Sequence, residues 1–252
     1  MHLPEIDRYA HLKSPLHSWD PRVKLVSISC LILSIVLLPN LLLASLGFTL
    51  VIVLTFISRI PFSFVLMHLR WVLLFILFFF VVMPLTVPGE RIVELNFMTI
   101  SYEGIELASL IALRAIGAAL LIFPMIGTMR FDLTIKALQK LNVPNKFVQM
   151  VMFTYRYIFV FLEELRRMFV AARARTFRKG TNVHTLKIVS NLIGMLFIRS
   201  FERTQRIYNA MASRGYNGDL KTLDEFELCK KDFLKAFIVI AMAVILHLAP
   251  LQ

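Results

Sequence analysis

Arginine recurs beside small residues at two places in this chain, Ala172-Arg173-Ala174-Arg175-Thr176 and Met211-Ala212-Ser213-Arg214-Gly215-Tyr216. A guanidinium is planar, permanently charged and carries five donors in a rigid fork, and neighbours such as Ala, Ser and Gly do not shield it. At a helix end, such a side chain either reaches into a groove of another protein or holds acidic lipid headgroups. The residues alone leave both readings open. Gly215 adds a helix stop that tolerates the left-handed conformation. Arg175 and Arg214 lie 39 positions apart (214 minus 175), and two such sites suggest the two grooves of a two-fold or pseudo-two-fold partner.

Other chemistry is sparse. His2, His11, His17, His68, His184 and His247 are scattered without metal-ligand spacing, and Cys30 and Cys229 have neither a partner pattern nor a metal pattern. The Gly-x-x-x-x-Gly-Lys-Ser/Thr loop that cradles nucleotide phosphates is absent from the sequence, so any ATP-derived energy must come from another subunit. The expectation is a non-catalytic chain with no catalytic residues, no metal site and no cofactor.

The elements that must position the arginines are helices in lipid. Hydrophobic residues make up 58% of the chain and charged ones 17%, with 22 Phe among 252 residues, too apolar for a water-soluble fold to bury. The apolar residues come in runs near the 20 or so that cross a bilayer, without the alternation of barrel strands. The runs are 25–38, Leu41–Ile57, 71–87, 104–126 and 233–248, with Pro39-Asn40 as a tight turn between the first two. No cleaved leader is expected, since Glu5, Asp7 and Asp20 sit in the flank of the first run and no Ala-x-Ala site follows it.

Orientation follows from Lys and Arg, which stay on the cytoplasmic side. The lead carries Arg8, Lys13, Arg22 and Lys24, whereas the Pro39-Asn40 turn has no basic residue and the loop 88–103 has Arg91 against Glu90, Glu94 and Glu103. The N-terminus is therefore expected inside. Residues 128–235 hold 20 Lys plus Arg against 9 Asp plus Glu, a net +11 of the whole chain's +12. Exporting that block would break the rule, so 147–162 is expected to be non-crossing or only dipping. Its apolar residues Val148, Val151, Met152, Tyr155, Phe159 and Leu162 recur at helical spacing. A second amphipathic helix is predicted from about Asn182, with a stripe of Leu186, Val189, Ile193, Leu196, Ser200, Thr204, Ile207 and Met211. The two are expected to pack together by these stripes and against the spans, each presenting an arginine end to the cytosol.

The lead reads Ile6-Asp7-Arg8-Tyr9-Ala10, then Ser14-Pro15-Leu16-His17, then Asp20-Pro21-Arg22-Val23-Lys24, where Asp20 suits an N-cap and Pro21 a first helical residue. With the two arginine ends, this lead resembles the transmembrane T component of energy-coupling-factor (ECF) transporters, in its cobalt-type CbiQ branch. The ends look like that family's two Ala-Arg-Gly motifs, with Thr176 where Gly is expected in the first and Ser213 in place of Ala in the second; the second continues Tyr216-Asn217-Gly218. Arg173 competes with Arg175 for the first site.

The resemblance implies a scaffold that joins a substrate-binding membrane subunit of the cobalt type to two ABC-type ATPase subunits in the cell membrane, with lipid around it and no nucleic acid. It implies ATPase coupling through Ala174, Arg175 and Thr176 and through Ser213, Arg214 and Gly215. The expected fold is all-α and polytopic, with about five transmembrane helices plus long amphipathic cytoplasmic coupling helices. The expected divisions are a lead (1–24), a four-helix membrane region (25–127), a coupling-helix region (128–232) and a final span (233–252). Nickel or a vitamin is the alternative cargo. A stand-alone secondary transporter would show internal repeats and broken spans, and no repeat is visible; a membrane enzyme would need convergent acids, bases or metal ligands.

Overall fold

The computed structural model describes residues 9–12, 14–95, 98–178, 180–218 and 229–248, with backbone only at 91–95 and 98–100. Two compact units divide the chain, Met1–Ala137 with Phe226–Gln252, and Leu138–Glu225.

The first unit is built on apolar helices. α1 (Pro21–Leu37) starts where the sequence indicates: the Arg22 amide donates to Asp20 Oδ1 over 2.9 Å, and Pro21 occupies the first helical position, where a missing N–H costs nothing. After Pro39 and Asn40 comes α2 (Leu41–Ile57), then α3 (Phe62–Thr86). α3 begins nine positions before the expected 71–87, because His68 and Arg70 do not break it: His68 Nδ1 lies 2.9 Å from Phe64 O, and Arg70 lies 5.2 Å over the Trp71 ring. A short hairpin follows, β1 (Arg91–Leu95) antiparallel to β2 (Met98–Ser101), in a segment rich in the β-branched Ile92, Val93, Thr99 and Ile100. Helices nevertheless carry the fold. α4 (Tyr102–Ile126) is capped by Ser101 Oγ, which accepts from the Gly104 amide at 3.2 Å.

α3 and α4 are each 25 residues and apolar enough to cross a membrane, and α2 is a shorter apolar helix of 17. α4 packs against α1, α2 and α3, and α8 (Lys230–Leu248) lies against α1. Small residues permit the approach of neighbouring helices: a Cβ on Gly117 would sit 3.4 Å from Ile35 Cγ2, and one on Gly104 only 2.6 Å from Pro84 Cα. Leu31, Ile35, Val51 and Leu121 fill the centre of the core.

Polar side chains join the helix ends. Lys24 is wholly buried, and its Nζ donates to Leu16 O at 3.0 Å and to Thr128 Oγ1 at 2.5 Å, while Lys235 Nζ donates to Pro15 O at 3.1 Å. The lead, the start of α1, the end of α4 and the start of α8 therefore meet at one end. At the other, Arg114 donates to Leu38 O, and His247 Nε2 lies 3.2 Å from Ser34 O. The helices α1 to α4 and α8 thus alternate in direction. In the lead, His17 Nε2 donates to Tyr9 O at 2.9 Å and Nδ1 lies 2.7 Å from Ser14 Oγ. Partial burial lowers its pKa against the raising effect of the Tyr9 carbonyl, and Lys24 lowers it further.

The short amphipathic α5 (Phe131–Lys140), unforeseen in the sequence, runs from the first unit into the second. The second unit is dominated by α6 (Asn145–Ala174) and α7 (Val183–Ala212), 30 residues each and about 45 Å long at 1.5 Å per residue.

Candidate functional site

The amphipathic pair places the arginines. Glu164 of α6 accepts from Arg199 of α7, and Gln149 near the start of α6 bonds to Tyr216 beyond the end of α7, so the helices run antiparallel. α6 meets α7 through Phe153, Tyr157, Phe161 and Glu164, which line clefts with Leu196, Arg199, Arg203 and Ile207 of α7. The stripe expected on α6 lies on the other face at 100° per residue: Val151, Phe159 and Leu162 are exposed, Met152 and Tyr155 half-buried and Val148 buried. α6 has apolar side chains on both faces, and the aromatic one meets α7, alongside the Glu164–Arg199 pair. Of the stripe expected on α7, Val189, Leu196, Ser200, Ile207 and Met211 are half-buried, whereas Leu186, Ile193 and Thr204 are exposed.

Each helix ends the same way. At the end of α6, the Thr176 amide donates to Arg173 O at 3.1 Å and the Phe177 amide to Ala172 O at 3.2 Å. At the end of α7, the Gly215 amide donates to Ala212 O and the Tyr216 amide to Met211 O, both at 3.0 Å. Both patterns are the Schellman motif, closed by a left-handed residue, Thr176 at φ 67° and Gly215 at φ 84°. Arg175 and Arg214 are thus structural equivalents, each the last residue before the left-handed turn and each exposed. Arg173, two residues earlier, aligns with Ala212.

Ala174 is the last residue of α6 and is exposed; Ser213 keeps helical angles, and its hydroxyl donates to Ala210 O at 3.2 Å. The two triplets are not brought together: α7 lies between them, so they occupy opposite ends of it. Sequence reasoning missed the aromatic that closes each motif. Phe177 is buried, and Tyr216 Oη donates to Gln149 Oε1 at 2.5 Å while Gln149 Nε2 donates to Gly218 O at 2.7 Å. An apolar residue two places after each arginine was the available signal, since this position commonly folds back on the helix. Among the described residues there is no cluster of three or more His, Cys, Asp or Glu able to hold a metal ion.

The profile of a family described as CbiQ, cobalt transport protein, matches residues 12–223, a stretch that contains both arginine ends. The chain belongs to the CbiQ family. An uncharacterized protein of Methanocaldococcus jannaschii is 28% identical over 251 residues, covering 95% of this chain and 85% of that protein. The energy-coupling factor transporter transmembrane protein EcfT of Bacillus selenitireducens is 31% identical over 228 residues, and that of Heliobacterium modesticaldum 27% over 223, each covering 84% of both chains. By family, the chain is a cell-membrane protein and a transmembrane component of the ECF group.

Proposed function

We propose that this CbiQ-family chain is the coupling subunit of an ECF-type importer for cobalt ions, joining a substrate-binding membrane subunit of the cobalt type to two ABC-type ATPase subunits. The observation that carries the reading is the pair of equivalent caps, each presenting an exposed arginine at the end of a helix about 45 Å long. Ala174, Arg175 and Thr176 engage one ATPase; Ser213, Arg214 and Gly215 engage the other. A planar fork suits such grooves, because it can make two parallel bonds to a carboxylate or to carbonyls. Closure of the ATPases on ATP displaces α6 and α7, and the pair moves as packed levers that switch between discrete arrangements rather than bending. The chain itself performs no hydrolysis. Residues 1–24 and 128–232 face the cytoplasm, 25–127 and 233–252 cross the membrane, and the N-terminus lies inside. Cobalt is favoured by the family's description, while the relatives' printed names state no cargo, so nickel or a vitamin is the second reading.

The experiment compares membrane retention, ATPase copurification and labelled cobalt uptake in Arg175→Ala, Arg214→Ala and the double variant. Truncating one side of a buried charged contact costs about 2–5 kcal/mol. The double variant should stay in the membrane yet lose ATPases and uptake, and Lys should rescue poorly because an ammonium lacks the fork. Wild-type copurification and uptake in the double variant would end the coupling role; uptake of nickel instead of cobalt would change only the cargo.

A further inference from the structure

Arg214 stands just past the end of α7 and is exposed, and among the described residues its side chain has no hydrogen-bond or ion-pair partner. Where its guanidinium points is therefore set by the backbone beneath it. The Gly215 and Tyr216 amides bond back only to the last turn of α7 itself, and a helix end is where such bonds open most readily.

A residue of the other helix holds this cap from outside. Gln149 is half-buried, one turn inside α6, and uses both ends of its amide: Oε1 accepts from Tyr216 Oη at 2.5 Å, and Nε2 donates to Gly218 O at 2.7 Å. The orientation of the amide follows from chemistry. A backbone carbonyl can only accept, so the NH2 faces Gly218, and the amide oxygen is left for the hydroxyl of Tyr216. Gly218 has φ 100°, and a Cβ there would meet no atom within 4 Å. Crowding does not explain this glycine; the left-handed backbone that presents its carbonyl to Gln149 does. The other cap is built differently. The bonds that shape it, from the Arg175, Thr176 and Phe177 amides and the Thr176 hydroxyl, all end within residues 172–175, and Phe177 is buried. Among the described residues, only the cap that carries Arg214 is hydrogen-bonded to the partner helix.

We propose that Gln149 is the positioning residue of the second coupling arginine. By clasping the chain on both sides of Asn217, it fixes the cap of α7 to the start of α6. Arg214 is then held for its groove and passes displacement to α6, whose far end carries Arg175. The inference rests on the coupling role proposed for Arg214 and adds the residue that protects the placement of that arginine from fraying of α7.

The test changes the clasp one bond at a time. Gln149→Met removes both bonds while nearly keeping length and helix propensity, Tyr216→Phe removes one, and Gln149→Glu keeps an acceptor for Tyr216 but loses the donor to Gly218. Hydrogen–deuterium exchange is read on the full-length chain in detergent, and ATPase copurification on the whole complex. The Tyr216 amide should exchange about 5- to 100-fold faster in Gln149→Met and about 2- to 10-fold faster in the other two, following the number of bonds lost. The Phe177 amide, at the opposite end of α6, should keep its wild-type rate. Copurification should fall in Gln149→Met and recover in part in Gln149→Glu. Added to Arg214→Ala, in which Arg175 still engages an ATPase, Gln149→Met should cause no further loss, because the clasp acts through Arg214. An unchanged rate at Tyr216 in Gln149→Met would overturn the inference. Equal acceleration at Phe177, or an added loss in the Arg214→Ala background, would also overturn it, by marking Gln149 as a support of the helix pair at large. Loss of ATPases in Arg214→Ala with full retention in Gln149→Met would overturn it and leave the coupling reading standing; full retention in Arg214→Ala would overturn both.

Discussion

The two helix caps differ in the residue that takes the left-handed turn, and this difference has a measurable size. A Cβ on Gly215 would meet no atom within 4 Å, so Gly215→Ala introduces no clash, only the strain of an L side chain at φ 84°. That strain is about 1–2 kcal/mol, which raises the opening equilibrium of the cap about 5- to 30-fold. Thr176 already bears such strain at φ 67°. Thr176→Gly relieves it but loses the hydroxyl's bond to Arg175 O at 2.6 Å and frees the unfolded chain, each worth about 0.5–1 kcal/mol, so the changes nearly cancel. Hydrogen–deuterium exchange of the cap peptides reads both, because the Tyr216 and Phe177 amides are held by Met211 O and Ala172 O. Gly215→Ala should expose the Tyr216 amide about 5- to 30-fold faster, and Thr176→Gly should leave the Phe177 amide within about threefold of wild type. Wild-type exchange at Tyr216 in Gly215→Ala, or fraying in Thr176→Gly as large as in Gly215→Ala, would refute the equivalence of the two motifs.

Gly104→Ala should destabilise the first unit by about 1–3 kcal/mol, seen as a lower melting temperature in detergent, since the new Cβ lies 2.6 Å from Pro84 Cα and 2.7 Å from Met83 O, both backbone atoms. His17 has a lowered folded pKa, so the unfolded chain takes up a proton first: stability should be constant above about pH 6.5 and fall as the pH drops from there toward the folded value. His17→Gln should flatten that acid limb in a melting series. In a background without Cys30 and Cys229, a Cys at Gly180 or Asn217 should resist a membrane-impermeant thiol reagent applied from outside. Labelling there would reverse the proposed topology.

Much of this protein was legible one segment at a time, because the signals are local. Asp20 followed by Pro21 caps α1 whatever packs around it, the apolar runs mark helices through composition alone, and Gly215 announces a left-handed stop. Thr176 was harder to read: nothing in a threonine signals φ 67°, and only the bonds from Thr176 and Phe177 back to the last turn of α6 show that Arg175 rather than Arg173 matches Arg214. α3 begins before the apolar run at 71, because His68 and Arg70 each find a partner along their own helix. The packing face of α6 lay furthest from sequence. With Val151, Phe159 and Leu162 on one side and Phe153, Tyr157 and Phe161 on the other, periodicity supports two apolar faces equally. Which one meets α7 shows only in contacts such as Glu164 with Arg199 and Gln149 with Tyr216, between residues 35 and 67 positions apart, which exist only once the antiparallel pair has formed.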